Sequence, residues 1–395
     1  MSAGIFLDQA RARAVLERAL ATGRFPPTFL FHGPPGTGKE EAALAFAQAL
    51  NCTTWTAGAL PDLFAPAPAP TPLEGPSDQA RLGGCGSCGS CLRIGRYVHP
   101  DVIVRLPLPR PRDVEAADPS EALRFKAEHP WRDPDIQGGN LSIGIEDVRA
   151  VLHGLGYPPV EAQWRVILFR EAERLSEEAQ NALLKSLEEP PARTLFILTT
   201  AQPEALLPTV RSRCRSVPFG PLPVEVISAW LCEQGLESGS GPDPARLARG
   251  SMKRALRILE EGVPGRAEAL ELLKGAATGQ RLQALEQASG LVFRSSGDAW
   301  TQARAVLDEL LSLVRDLAAI QTGERNLLNP DLAEQLEEIA RRLSPVAVLR
   351  AIEAVTEARG EVDGFVNLAL IHTTLFEALT VLAAPDAAAP GARCC

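Results

Sequence analysis

The sequence predicts an α/β domain with a mostly parallel sheet, followed by all-α domains. Two observations predict it. Up to about residue 220, short apolar strands alternate with amphipathic helices, the order that puts helices on both faces of a parallel sheet. From about residue 264 the strand signals are gone and apolar residues recur only at helical spacing. With 395 residues, 45% apolar and 23% charged, the chain has material for two or three ordinary cores. Its 49 acidic residues against 40 basic ones leave a formal charge of −9, which argues against holding nucleic acid by bulk electrostatics. There is no apolar run long enough to span a membrane, and the N-terminus lacks the basic-then-apolar order of a secretory signal. A soluble cytoplasmic protein with no membrane contact is expected.

Taken in order, residues 8–22 read as a helix. FPPTFLFHG (25–33) holds a short apolar strand entering a glycine-rich turn, and 40–50 is a helix. DVIVRL (101–106) is a strand, and 107–141 is a Pro-rich, charged surface loop. A helix follows over 145–155, then a buried strand and turn over 165–175. Ser176 caps a helix over 176–191 that Pro190 stops, and TLFILTT (194–200) is another buried strand. Residues 221–263 give short helices. Beyond 264, Val306, Leu310, Leu313, Leu317 and Ile320 form one helical stripe, and Leu332, Leu336, Ile339 and Leu343 another. Such stripes predict helices packed on each other. A last, broadly apolar helix is expected over 365–382, and 386–395 is a disordered tail whose Cys394 and Cys395 receive no role.

Three of the eight cysteines stand as C-x2-C-x2-C, at Cys85, Cys88 and Cys91, and Cys52 ends a helical segment upstream. In a chain expected to be cytosolic, such a cluster reads as thiolate ligands more readily than as disulfides. Four thiolates suit a structural zinc. An iron–sulfur cluster uses the same ligand number, and a glycine-rich loop of free thiols is the plain alternative. The long gap within the module (52–91) is filled by a Pro- and Ala-rich insertion over 56–83.

GPPGTGKE (33–40) matches G-x4-G-K between a strand and a helix, the setting of a phosphate-binding loop, with Gly33, Gly36, Gly38 and Lys39 in place. Its last position is Glu40, where Ser or Thr should ligate Mg²⁺. The next buried strand, VILF, should end in an acidic pair. Arg170 stands where the metal-holding carboxylate belongs, and Glu171 where a water-activating base would be. A site that lost both metal-holding positions is expected to keep the fold without hydrolysing ATP. Nucleotide binding without hydrolysis stays open.

PTVRSRCRSVPF (208–219) contains Ser212, Arg213 and Cys214; alone, such a stretch is an ordinary charged surface. The order GPPGTGKE, CGSCGSC, HPDV (99–102), FREAERL, NALLKSLEEPP (181–191), LFILTT and RSRC (211–214) resembles the AAA+ clamp-loader family of bacterial DNA polymerase III. The resemblance implies an AAA+ P-loop domain with a zinc module over 1–220, a helical lid domain over 221–263 and a helical oligomerisation collar over 264–385. It implies that Arg213 is an arginine finger inserted into a neighbour's nucleotide site, that Thr199 and Thr200 lie at the sensor-1 position, and that Lys253 replaces the usual sensor-2 arginine. Cys52, Cys85, Cys88 and Cys91 match the family's zinc ligands. The implied partners are the ATPase subunits and the delta subunit in a hetero-pentamer, with the sliding clamp and primer-template DNA reached through that complex. The implied role is a stator-like subunit without ATPase of its own; an active ATPase subunit of the same loader is the alternative.

Overall fold

The computed structural model describes residues 8–56, 82–109, 118–134, 141–236, 241–278 and 299–363. Most of the expected 56–83 insertion, the expected helix over 365–382 and the tail with Cys394 and Cys395 lie outside the described residues. The chain divides into two compact units, Met1–Gln234 with Arg249–Lys253, and Gly235–Ala248 with Arg254–Cys395.

The first unit is built on a five-stranded parallel sheet. Its elements are α1 (Ala10–Thr22), β1 (Thr28–His32), α2 (Lys39–Leu50), α3 (Thr53–Thr56), α4 (Gly89–Gly95), β2 (Val102–Arg105), β3 (Leu108–Pro109), α5 (Pro119–Glu128), β4 (Leu141–Ser142), α6 (Ile145–Gly154), β5 (Arg165–Phe169), α7 (Glu177–Glu188), β6 (Thr194–Thr200), α8 (Pro208–Arg211), β7 (Arg215–Pro218) and α9 (Val224–Glu233). The strand order is β2-β5-β6-β1-β7, with β3 and β4 pairing separately. Side chains alternate across the pleat. Phe29, Phe31, Val166, Leu168, Leu195 and Ile197 face one layer, packing with Leu16 and Leu20 of α1 and Phe46 of α2. Leu30, Ile167, Phe169, Phe196 and Leu198 face the other, packing with Val148 and Val151 of α6 and Leu183 and Leu187 of α7. Both faces are therefore covered, and the strands read as continuous apolar runs.

Local signals place the helices. Ser176 Oγ accepts the Ala179 N–H at 3.2 Å and starts α7. Residues 107–141, expected as a surface loop, contain α5; the Asp118 carboxylate accepts the Ser120 N–H at 2.8 Å, and Pro119 stands at the first helical position. In HPDV, the Asp101 carboxylate accepts the N–H groups of Val160, Glu161 and Ala162 at 2.7, 2.9 and 2.9 Å, which pins the chain entering β5.

The second unit is helical among its described residues: α10 (Pro244–Leu247), α11 (Met252–Glu261, across which the division falls), α12 (Arg266–Thr278), α13 (Ala299–Gln321), α14 (Ala333–Ala340) and α15 (Pro345–Asp363). Its core joins Leu272 and Leu273 of α12, Leu310, Leu313, Val314 and Leu317 of α13, Leu336 and Ile339 of α14, and Val348 and Val355 of α15. Buried Asp316 accepts the backbone N–H groups of Leu328 and Asn329 at 2.9 and 2.8 Å, fixing the turn after α13. Among the described residues, no helix is long and apolar enough to cross a membrane.

Candidate functional site

The turns after β1 and β5, and the end of β6, meet at the edge of the sheet where the parallel strands end, the edge at which open α/β sheets bind ligands. Gly33, Gly36 and Gly38 have φ of 143°, 73° and 93°. A side chain at Gly33 would put its first carbon 2.0 Å from the Phe219 carbonyl oxygen, and at Gly36, 2.3 Å from Ser251 Oγ. Both conformation and crowding thus demand glycine. Lys39 folds back over the turn, donating to the Gly33 and Pro34 carbonyls at 2.6 and 2.5 Å. Burial, then the nearby Lys253 charge, pushes its ammonium down to about 8.

Glu40, in the first turn of α2, is 7% exposed. Its carboxylate meets Arg170 Nε at 2.8 Å and Lys126 Nζ at 3.2 Å and accepts the Tyr97 hydroxyl at 2.7 Å. Burial alone would raise its pKa; Arg170, Lys126 and Lys253 overcome that and hold it below the usual carboxylate range. Arg170 also reaches Asp133 Oδ1 at 3.1 Å, and Lys253 Nζ meets both Asp133 oxygens at 2.7 and 2.8 Å. Glu40 and Arg170, the two positions at which the sequence motif leads one to expect metal ligands, therefore carry opposite charges and are paired with each other. Burial pushes the Asp133 carboxyl up, but Lys253 and Arg170 hold it at about 2. The next side chain, Glu41, has no such excess of cations: burial first, then Glu40, raises it to about 7.

Glu171 lies in the left-handed region at φ 46°, an uncommon conformation for a residue other than glycine. Its N–H donates to Thr199 Oγ1 at 3.4 Å, and Thr200 Oγ1 accepts the Gln202 N–H at 3.0 Å. The structure thus brings together Gly33, Gly36, Gly38, Lys39, Glu40, Arg170, Glu171, Thr199 and Lys253. It adds Tyr97, Lys126 and Asp133, which no sequence motif singles out.

Arg213 is elsewhere. It immediately precedes Cys214 and β7, at the edge where the parallel strands begin, opposite the glycine-rich turn. Ser212 Oγ and Arg213 Nη1 both donate to the Thr209 carbonyl, at 3.1 and 2.7 Å, and Cys214 Sγ donates to the Val210 carbonyl at 3.2 Å. Burial pushes the Cys214 thiol up to about 12, so it stays a thiol packed against the sheet. Arg213 Nε donates to Glu188 Oε1 at 2.6 Å, and Nη2 pairs with the same oxygen.

Cys52, Cys85, Cys88 and Cys91 form the third site. Their sulfurs all lie within 4.8 Å of one another. A tetrahedral ion about 2.3 Å from each sulfur needs them roughly 3.8 Å apart. Backbone N–H groups point at three of the sulfurs, while burial pushes the Cys91 thiol up. The N–H of Cys85 points at Cys52 Sγ (3.3 Å), that of Cys88 at Cys85 Sγ (3.2 Å) and that of Cys91 at Cys88 Sγ (3.5 Å). Burial pushes the Cys85 thiol up, but hydrogen bonds from Thr54, Ser87 and the Cys88 backbone bring it to about 5. A side chain at Gly84 would strike Cys91 Sγ at 2.7 Å. The donor set fits a metal ion held by four sulfurs.

Two family models match, described as DNA polymerase III, delta subunit (residues 74–223) and DNA polymerase III, delta subunit, C terminal (residues 280–379). DNA polymerase III subunit delta′ of Bacillus subtilis is 27% identical over 91% of this chain and 92% of its own length. Subunit delta′ of Escherichia coli is 29% identical over 74% and 77%. Subunit gamma/tau of Mycobacterium bovis is 28% identical over 96% of this chain but only 61% of its own length. These matches, on a parallel-sheet domain with a P-loop-like turn and a helical C-terminal part, agree in one direction: the chain belongs to the AAA+ clamp-loader family of bacterial DNA polymerase III.

Proposed function

We propose that this chain is the non-hydrolysing, stator-like subunit of a replicative clamp loader, in which it lends Arg213 to a neighbour's ATP site. The observation that carries the reading is the buried pair of Glu40 and Arg170, reinforced by Lys126 and Asp133. Phosphoryl transfer needs a divalent ion that bridges the β and γ phosphates and neutralises developing charge. Here the hydroxyl that would ligate the ion is a carboxylate already neutralised by a guanidinium. Seating magnesium would require breaking a buried ion pair, which costs several kcal/mol (about 3–5) when one partner is lost.

The placement of Arg213 supports the second half of the reading. It stands at the sheet edge opposite its own glycine-rich turn, so a nucleotide that it touches belongs to another subunit. Its planar, permanent charge suits the γ-phosphoryl group in the transition state. The four cysteines would hold zinc. With every coordination position taken by sulfur the ion would be structural, bracing the segment between α2 and β2. The ATPase and delta subunits, and through them the clamp and primed DNA, are the partners that this reading assigns, in the cytoplasm.

Turnover by the purified chain and by the reconstituted loader tests it. No magnesium-dependent ATP hydrolysis is expected from the chain alone. Arg213→Ala is expected to leave its folding intact and to slow one site of the complex by about 10³-fold or more. Brisk hydrolysis by the isolated chain, abolished by Lys39→Ala, would establish it instead as an ATPase subunit.

A further inference from the structure

Glu188 is the last residue of α7 and Arg213 follows α8, 25 positions later. Their contact uses one side of the guanidinium. The carboxylate takes the edge formed by Nε and Nη2 on a single oxygen, Oε1, and the Thr209 carbonyl takes one hydrogen of Nη1. The backbone on either side is fixed as well, by Ser212 Oγ on the Thr209 carbonyl and by Cys214 Sγ on the Val210 carbonyl. What these partners leave is one N–H on Nη1 and one on Nη2. Donors on both terminal nitrogens of one planar, permanently charged group suit the oxygens of a phosphate. The side chain is 30% exposed, so it is not sealed inside its own subunit.

We propose that Glu188 is a positioning residue for the Arg213 finger. It holds the guanidinium by its side edge so that the N–H groups left on Nη1 and Nη2 meet a neighbour's phosphoryl group without first giving up rotamer freedom. The inference rests on the reading of Arg213 as a finger in trans. Glu188 touches no nucleotide itself. A free arginine samples many rotamers, and ordering it within the transition state slows the reaction; a finger ordered beforehand has already met that cost. An opposite effect competes with this one. A carboxylate beside the finger partly cancels the charge offered to the phosphate. If that cancellation dominated, removing Glu188 would speed turnover.

The test uses the reconstituted loader with saturating clamp and primed DNA, comparing Glu188→Ala, Glu188→Gln, Arg213→Ala and Glu188→Ala with Arg213→Ala. Glu188→Ala is expected to lower kcat about 3- to 10-fold with KM for ATP unchanged, as for lost orientation and not lost binding. Glu188→Gln, which keeps an acceptor oxygen, is expected to recover part of that loss. In the Arg213→Ala background, Glu188→Ala is expected to change nothing further. Thermal melting of each variant chain and assembly of each complex verify that the variants fold; an exposed pair of this kind contributes little to stability. An unchanged or raised kcat in Glu188→Ala overturns the proposal. So does an equal loss in the Arg213→Ala background, which would make Glu188 a structural residue. If Arg213→Ala itself leaves turnover intact, the finger reading falls and takes this inference with it.

Discussion

Glu40 is an acid in the interior whose three partners come from three separate segments: Tyr97 before β2, Lys126 in α5 and Arg170 after β5. Removing its charge takes from buried Lys126 the carboxylate it meets and leaves buried Arg170 with Asp133 and the more distant Glu171. Glu40→Gln is therefore expected to destabilise the chain by about 3–5 kcal/mol, read from urea unfolding. Glu41 beside it makes the opposite contribution. Its carboxyl titrates near its ordinary 4.5 when unfolded but at about 7 when folded. Between those values the folded chain binds more protons than the unfolded one, so this group makes stability fall as pH rises through that window. Glu41→Gln is expected to flatten the urea midpoint against pH between about 4.5 and 7. The carboxylates of Glu40 and Asp133, held low, act with the other sign, and their contribution fades as acid protonates them. At this scale the sequence reveals the two substitutions, an acid in the loop and an arginine after the strand. It does not reveal that they touch, because 130 residues separate them and only the sheet order brings the two turns together. Lys126 and Asp133 were hidden for a related reason: charge in a proline-rich stretch looks like solvated surface.

Among the elements, the gathering of the cysteines was legible, since C-x2-C-x2-C keeps three sulfurs within a few residues. The fourth sulfur, of Cys52, reaches the others because α2 ends beside them; Gln48 Nε2 donates to the Cys91 carbonyl at 2.9 Å across the same junction. Cys88→Ser is expected to release the metal, about one zinc per chain by elemental analysis, and to raise amide exchange around residues 82–95. The sheet core should keep most of its protection: Leu82 and Ile94 of this segment join the core on one face, but that face also packs on α1 and α2, and the other face on α6 and α7. Helix α5 was missed by the reading of 107–141 as a loop, although its start signal is present. Asp118, Pro119 and Glu121 stand at the cap, first and third positions, the order that starts a helix. Prolines at 107, 109 and 111 outweigh that signal when the stretch is read by composition. The family's HPDV segment shows how much a short motif can hide: three backbone N–H groups around one aspartate are a contact that no periodicity discloses.

For the molecule as a whole, the alternation of strands and helices sufficed to foresee a sheet covered on both faces, and the leucine stripes to foresee the helical unit. The division at Lys253 and Arg254, inside α11, was not legible, because a continuous helix carries no sign that its two ends belong to different compact units. The chain as purified is expected to show no ATP turnover, while the loader assembled from it turns over with a rate sensitive to residue 213; the two assays together separate a silent subunit from a failed preparation. Two places in this fold call for positive charge, and they obtain it differently. The four sulfurs depend on an atom supplied by the surroundings. The acid of α2 has a guanidinium built into the chain. EDTA should accordingly loosen the first neighbourhood and pass the second by, because the pairing of Glu40 with Arg170 asks nothing of the solvent.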